Sequence, residues 1–289
     1  LNPAVAFTQK GGGFILSPPF KEIVLEKEAP RSSYFIEITN NSPVHQTFYL
    51  SIVDFGALDE SGGVAFLGTS PETLERKYSL ASWISLEKDV LEVESGKSQK
   101  IKVSVINKES LSPGGHYAAV VATLSSYQEN KRNISLNAAF ASLIFVKKTG
   151  GEIYNLNLKG KEILQKSFGF PNKISLRFNN SGNVHLVPRG SVTVENPRGE
   201  IMSRGIINPE SGIILPGSFR TYHVTLKNLS LPLLPGTYLL NIQYRHEGKE
   251  DFARDTLSFF FPGIIGVATL GLTIMTVFLI FLRKRWLKQ

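Results

Sequence analysis

Histidines and carboxylates are the residues that could carry chemistry in this chain, and their spacing argues against it. His45, His116, His185, His223 and His246 stand apart from one another. No pair has the helix spacing of H-E-x-x-H, and none sits in a metal-ligand cluster. Asp54, Asp59 and Glu60 lie close together, and paired carboxylates could serve glycoside hydrolysis or calcium binding. They lack the Asp-x-Asp-x-Asp-Gly spacing of a calcium loop and read as a solvated loop. No G-x-S-x-G elbow, Walker loop or dinucleotide fingerprint occurs. Gly11-Gly12-Gly13 lacks the strand before it and the helix after it that phosphate cradling requires. Cysteine is absent, which removes disulfides and thiolate chemistry and leaves the cores to hold the chain together. The expectation is a protein that is not an enzyme and uses no metal or cofactor.

The same region offers material for a binding surface instead. Trp83, Tyr78, Asp54 and Phe55, with Phe66 and Leu67 nearby, combine aromatic rings that can stack on sugars with a carboxylate that can hydrogen-bond to them. Loops carried by a rigid scaffold are common binding sites. Trp83 also precedes an alternating strand, which equally suits a place in the core. Sequons at Asn40, Asn133, Asn179 and Asn228 carry no functional weight, since Asn is frequent in turns.

Strands must position these residues, because between Gly11 and Ser258 there is little helical periodicity. Short alternating runs recur instead, among them Tyr34, Ile36, Ile38; Ile101, Val103, Val105; Ile174, Leu176, Phe178; and Tyr238, Leu240, Ile242, Tyr244. Each places alternate side chains on one sheet face, as in a sandwich. The pattern also repeats. Asn40-Asn41-Ser42 with His45 recurs as Asn179-Asn180-Ser181 with His185, an offset of 139 residues at the first asparagine. The turn at Gly96 recurs at Gly217, offset 121, and Pro113-Gly114-Gly115-His116-Tyr117 recurs as Pro235-Gly236-Thr237-Tyr238, offset 122 at the proline. Copy one therefore carries about 18 extra residues, placed between Asp54 and Val90. Pro presets φ and Gly tolerates positive φ in such turns, and Tyr117 and Tyr238 read as corner tyrosines tied to upstream backbone. The predicted fold is all-β: an immunoglobulin-like β-sandwich over 13–146, a linker over 147–151 and a second such sandwich over 152–259.

A transmembrane α-helix is predicted over 260–282. Pro262 to Leu282 holds no charged or amide side chain, and about 20 apolar residues at 1.5 Å each cross a hydrocarbon core of roughly 30 Å. Pro262 suits the first turn, where its missing N–H costs little. Arg283, Lys284, Arg285 and Lys288 follow in the tail 283–289 and place it in the cytoplasm by the positive-inside rule. These four supply half of the net charge of +8; the remaining 28 basic residues face 24 acidic ones and form no stripe, which argues against nucleic acid. Ala4-Val5-Ala6 has the small-x-small form of a signal-peptidase site, so residues 1–12 read as a signal-peptide remnant and lead-in, with the mature chain starting near Phe7.

Tandem sandwiches outside a C-terminal helix, with Trp83-Ile84, the Gly96 turn, the Pro113-Gly114-Gly115-His116-Tyr117 corner and Asn180-Ser181-Gly182-Asn183-Val184-His185 opening copy two, resemble the WxL-interacting proteins of Gram-positive bacterial surfaces. The resemblance implies an adaptor held to the lipid bilayer by its helix, whose first domain meets peptidoglycan and whose second meets a surface protein. The leading expectation is thus a membrane-anchored extracytoplasmic adaptor for cell-wall glycan, a secreted surface protein, or both. The alternative is a chaperone-like module that accepts a partner strand at a sheet edge. A wall hydrolase would need a catalytic set that the residues do not supply.

Overall fold

The computed structural model describes residues 13–26, 28–66, 76–124, 139–167 and 169–286. The fold is mostly β with one C-terminal helix, and the chain divides into two compact units. The first holds the chain up to Ile153 together with Gly182–His185; the second holds Tyr154–Ser181 and the chain from Leu186 onward.

In the first unit the strands are β1 (Phe14–Ser17), β2 (Phe20–Leu25), β3 (Arg31–Asn40), β4 (Gln46–Ala57), β5 (Val64–Phe66), β6 (Ile84–Leu86), β7 (Val90–Val93), β8 (Ser98–Ile106), β9 (Gly114–Leu124) and β10 (Ala139–Lys148). One sheet has the order β1-β3-β8-β6 and the other β2-β10-β9-β4-β5, with β7 also paired to β4. Alternation sends every second side chain to the same face, so Ile36, Ile38, Ile101, Val103 and Val105 from one sheet share a core with Phe48, Leu50, Ala118 and Val120 from the other. The supposed excursion after Asp54 contributes to this framework: β5 pairs back on Phe55–Ala57, and β6 extends the first sheet. Its residues 67–75, including Leu67, lie outside the described residues, as do 1–12 and Asn133.

β1 and β2 form one extended segment that changes sheet at Pro18-Pro19, where no N–H is available to a ladder. The Ser17–Pro18 bond is cis. β1 covers Glu37–Asn40 of β3, and β2 runs parallel to Leu143–Lys148 of β10. Among the described residues, Arg31–Ile36 of β3 therefore has a strand only on its β8 side.

Lys147 and Lys148, expected in the linker, end β10 instead, opposite Gly115 and Gly114. Both are buried. Lys148 Nζ donates to the carbonyls of Lys108 (3.0 Å) and Leu111 (2.6 Å), which replace the water its ammonium loses. A polar pair looked like a linker because these carbonyls lie some 40 residues away in sequence.

In the second unit the strands are β11 (Leu156–Ser167), β12 (Phe170–Asn180), β13 (Arg189–Glu195), β14 (Ile201–Ile207), β15 (Phe219–Thr225), β16 (Lys227–Asn228), β17 (Gly236–Arg245) and β18 (Ala253–Phe261), followed by α1 (Gly263–Trp286). The sheets are β11-β12-β15 and β16-β14-β13-β17-β18. Phe178 of β12 is fully buried, edge-on to Tyr222 of its own sheet (6.0 Å) and Tyr244 of the other (4.9 Å). The aromatic run before the helix is strand: Phe261 pairs with Gly236, and Phe259 and Phe261 pack on Phe170 and Tyr238. The helix therefore begins at Gly263 rather than 260, and it continues past 282 to Trp286.

Both units repeat one device. Asn40 donates its N–H to Lys97 O and accepts from Gly96 N, at 2.9 and 2.7 Å; Asn180 does the same with Ser218 and Gly217, at 3.0 and 2.8 Å. Both asparagines are fully buried, and Gly96 and Gly217 sit at φ +70° and +73°, where a β carbon is costly. Asn40 therefore corresponds to Asn180, an offset of 140 residues, and not to Asn179.

Candidate functional site

Two of the four residues singled out for ligand binding, Phe55 and Tyr78, pack on Tyr117. Phe55 is buried, with its ring 5.9 Å from Tyr117 and 5.3 Å from Phe145. Tyr78 lies 6.4 Å from Tyr117. Asp54 spends its carboxylate on the chain: Oδ1 accepts from the N–H groups of Leu80 (2.7 Å) and Ala81 (2.6 Å), capping the short turn Ala81–Trp83. Trp83 is half-buried against the core, with Lys108 Nζ 5.4 Å from its ring centre. Asp59 forms an Asx turn by accepting from the N–H (2.8 Å) and hydroxyl (2.6 Å) of Ser61.

The same aromatic cluster holds a contact that sequence reasoning missed. His185 is buried, with Nε2 3.0 Å from Glu22 Oε1 and Nδ1 3.3 Å from the Tyr117 hydroxyl. One neutral tautomer satisfies both: Nε2–H donates to the carboxylate, and Nδ1 accepts from the phenol. The His185 hydrogen bond holds the Glu22 carboxyl below its ordinary range, against the opposing effect of burial, and Lys147 at 4.0 Å adds to it. Burial pushes the Tyr117 hydroxyl well above its usual pKa, so it stays protonated. This chain fixes Gly182–His185 within the first unit and offers no nucleophile. The expected pairing of His45 with His185 does not extend to environment, since His45 is exposed.

The two corner tyrosines also differ. Tyr238 donates to Leu234 O at 2.8 Å, the upstream tie expected of both. Tyr117 is committed to His185, and His116 takes the equivalent role through Nε2 and Ser112 O, 2.8 Å apart. Burial lowers the His116 pKa, favouring the neutral ring.

A surface cavity of about 520 Å³ lies in the second unit between the start of β13 and the turn after β17. Arg189 and Arg245, paired across β13 and β17, line it with His246, Lys249 and the carboxylates of Glu247 and Glu250. Like charges directly opposite each other are unfavourable in a sheet, and neither arginine has an ion-pair partner among the described residues. The Arg245 guanidinium is held 5.1 Å from the Phe252 ring. Burial lowers the His246 pKa. Two unpaired planar forks in a concavity suit a carboxylate or phosphate group. The strand-end arginines carried no periodic signal, which is why sequence reasoning passed over them.

α1 is long and apolar enough to cross a membrane, and none of its apolar window is buried. Its threonines are self-satisfied: Thr269, Thr273 and Thr276 donate to the carbonyls of Gly266, Thr269 and Leu272 at 2.8–3.0 Å. Hydroxyls bonded within the helix need no water. Of the tail's basic residues, Arg283, Lys284 and Arg285 lie in the last turns of α1, and Lys288 lies outside the described residues. Among the described residues no group of three or more His, Asp or Glu could hold a metal.

No protein-family model matches the chain, and no curated protein matches it. Among solved structures it is similar to a chain of the chaperone–tip adhesin complex of CFA/I fimbriae biogenesis, at 13% identity and TM-score 0.46, covering 87% of this chain and 100% of that one. It is likewise similar to the class 5 fimbrial chaperone CfaA, at 13% and 0.46, covering 84% and 98%. The Escherichia coli chaperone DraB matches at 10% and 0.37, covering 86% and 97%. None of these is a WxL-interacting protein, and likeness at TM-scores below 0.5 says nothing about ligand or partner.

Proposed function

We propose that the chain is a membrane-anchored extracytoplasmic binding module whose immunoglobulin-like sandwiches stand outside the membrane, with Arg283 and its basic neighbours on the cytoplasmic side. Its first unit takes an extended segment of a surface protein as an added strand. The observation that carries this reading is the edge of β3: over Arg31–Ile36 it has a strand on one side only among the described residues. That stretch has no register shift against β8, and its one charged residue is Arg31 at the end. The edge strand β11 is defended by contrast, with Lys159, Lys161 and Lys166 and three shifts of register against β12. Lys161 also reaches Asp255 and the carbonyl of Thr256 on the edge strand β18.

Adding a surface-protein extract to the full chain in nanodiscs should slow hydrogen exchange at the Arg31–Ile36 amides while leaving those of the central strand β9 unchanged. An extract that binds without slowing those amides sinks strand addition.

A second reading, an anionic wall glycan as ligand, is favoured by the unpaired Arg189 and Arg245. The full chain should then retain purified wall polyanion, and Arg189→Ala/Arg245→Ala should weaken retention about a hundredfold, the loss of at least one charge-assisted hydrogen bond from each arginine. Equal retention by the variant removes that reading.

A further inference from the structure

The segment between β16 and β17 reads Leu229-Ser230-Leu231-Pro232-Leu233-Leu234-Pro235 and bears no charge. Leu229, Leu231 and Leu233 are exposed, Leu231 at 68%, as is Phe260 of β18 at 72%. Four large apolar side chains facing solvent in one region call for a covering surface.

The segment is pinned to the start of α1. The N–H groups of Ile264 and Ile265 donate to Pro232 O (3.0 Å) and Leu233 O (3.3 Å), so the loop supplies acceptors that a helix N-terminus otherwise lacks. Gly263 makes the approach possible. Its φ is +70°, and a β carbon there would sit 2.4 Å from Leu233 O and 2.5 Å from Leu234 C.

Backbone polarity is also unusually well covered for a loop. Leu229 and Ser230 donate to Met202 O at 2.9 and 3.3 Å, Leu233 donates to Leu231 O at 2.9 Å, and Pro232 and Pro235 have no N–H. Few donors would lose water if the segment left it, which is the condition for backbone near hydrocarbon.

We infer that Leu229–Leu234, with Phe260, is a second membrane contact: a collar that seats its leucines in the interfacial layer of the bilayer around the first turn of α1. This rests on reading α1 as a membrane span. The occupant follows from continuity, since the loop is bonded to the turn at which an apolar helix would enter lipid. The collar fixes the depth and tilt of the second unit on the membrane, which a helix on a free hinge would not do.

Single tryptophans in the full chain, with Trp83 and Trp286 replaced by Phe, test this in phosphatidylcholine vesicles containing lipids brominated at shallow or deep acyl positions. Leu231→Trp should be quenched by shallow bromines, Leu272→Trp, in mid-helix, by deep ones, and Ile206→Trp, exposed at the opposite end of the sheet, by neither. Leu272→Trp quenched with Leu231→Trp unquenched overturns the collar and leaves the span standing. Leu272→Trp unquenched by either lipid overturns the span and the collar with it.

Discussion

Asn40→Ala is expected to lower the unfolding free energy by about 3 kcal/mol, while Asn41→Ala beside it changes stability by less than about 0.5 kcal/mol. The Asn40 side chain serves three backbone groups at once: Nδ2 donates to Val44 O (2.8 Å) and Val93 O (2.9 Å), and Oδ1 accepts from Ser42 N (2.9 Å). The bond to Val93 is buried, and its carbonyl would be left without a partner, at about 1–3 kcal/mol. Alanine also leaves a small void in a position with no exposed surface. Asn41 is exposed. A smaller contrast should hold in the second unit, where Asn180 donates to Ile214 O at 2.9 Å inside the fold and the half-buried Asn179 donates to Ser218 O at 3.3 Å. Urea titration of the full chain in detergent measures both pairs, with Trp83 fluorescence following the first unit and far-ultraviolet circular dichroism following both. Equal losses at Asn40 and Asn41 would sink the role given to the Asn40 side chain.

That pair of residues also shows what sequence could and could not yield. The alternating strands, the turn glycines and the repetition were legible because each is a local pattern of two-residue period or special φ. The register of the repeat was not. Two consecutive asparagines in each copy allow offsets of 139 and 140, and a slip of one residue exchanges the faces of a strand. The bonds to Gly96 and Gly217 and the burial of Asn40 and Asn180 decide for 140. Long-range packing decided the site as well. Phe55 and Tyr78 pack on Tyr117 while Asp54 binds the N–H groups of Leu80 and Ala81, and neither the burial of Phe55 nor those bonds are written in composition. The partnership of Glu22 with His185 spans 163 residues and has no sequence signature. The uncharged run Leu229 to Leu234 carries no periodic signal either. Its meaning depended on its bonds to Ile264 and Ile265.

Replacing both Leu272 and Met275 by lysine should release the full chain from membranes. Both side chains are exposed, one turn apart near the middle of α1, so neither substitution disturbs a packed core. Lysine is nearly as good a helix former as leucine or methionine, and the helix itself would survive. The cost lies in the bilayer: a lysine at a helix centre is unfavourable by about 2.5–3.5 kcal/mol on insertion scales, and a leucine lost forfeits a further few tenths. Two such changes sum to about 6 kcal/mol, or roughly four powers of ten in the insertion equilibrium. The threonines set a useful contrast. Thr269, Thr273 and Thr276 are polar too, but their hydroxyls already donate to carbonyls of the same helix, whereas an ammonium has three donors and no acceptor left to it. Carbonate washing of membranes separates the outcomes: the lysine pair should appear in the soluble fraction, and Leu272→Ala/Met275→Ala should stay in the pellet. Retention of the lysine pair would mean that α1 is covered by protein rather than lipid, and the extracytoplasmic reading of both units would fall with it.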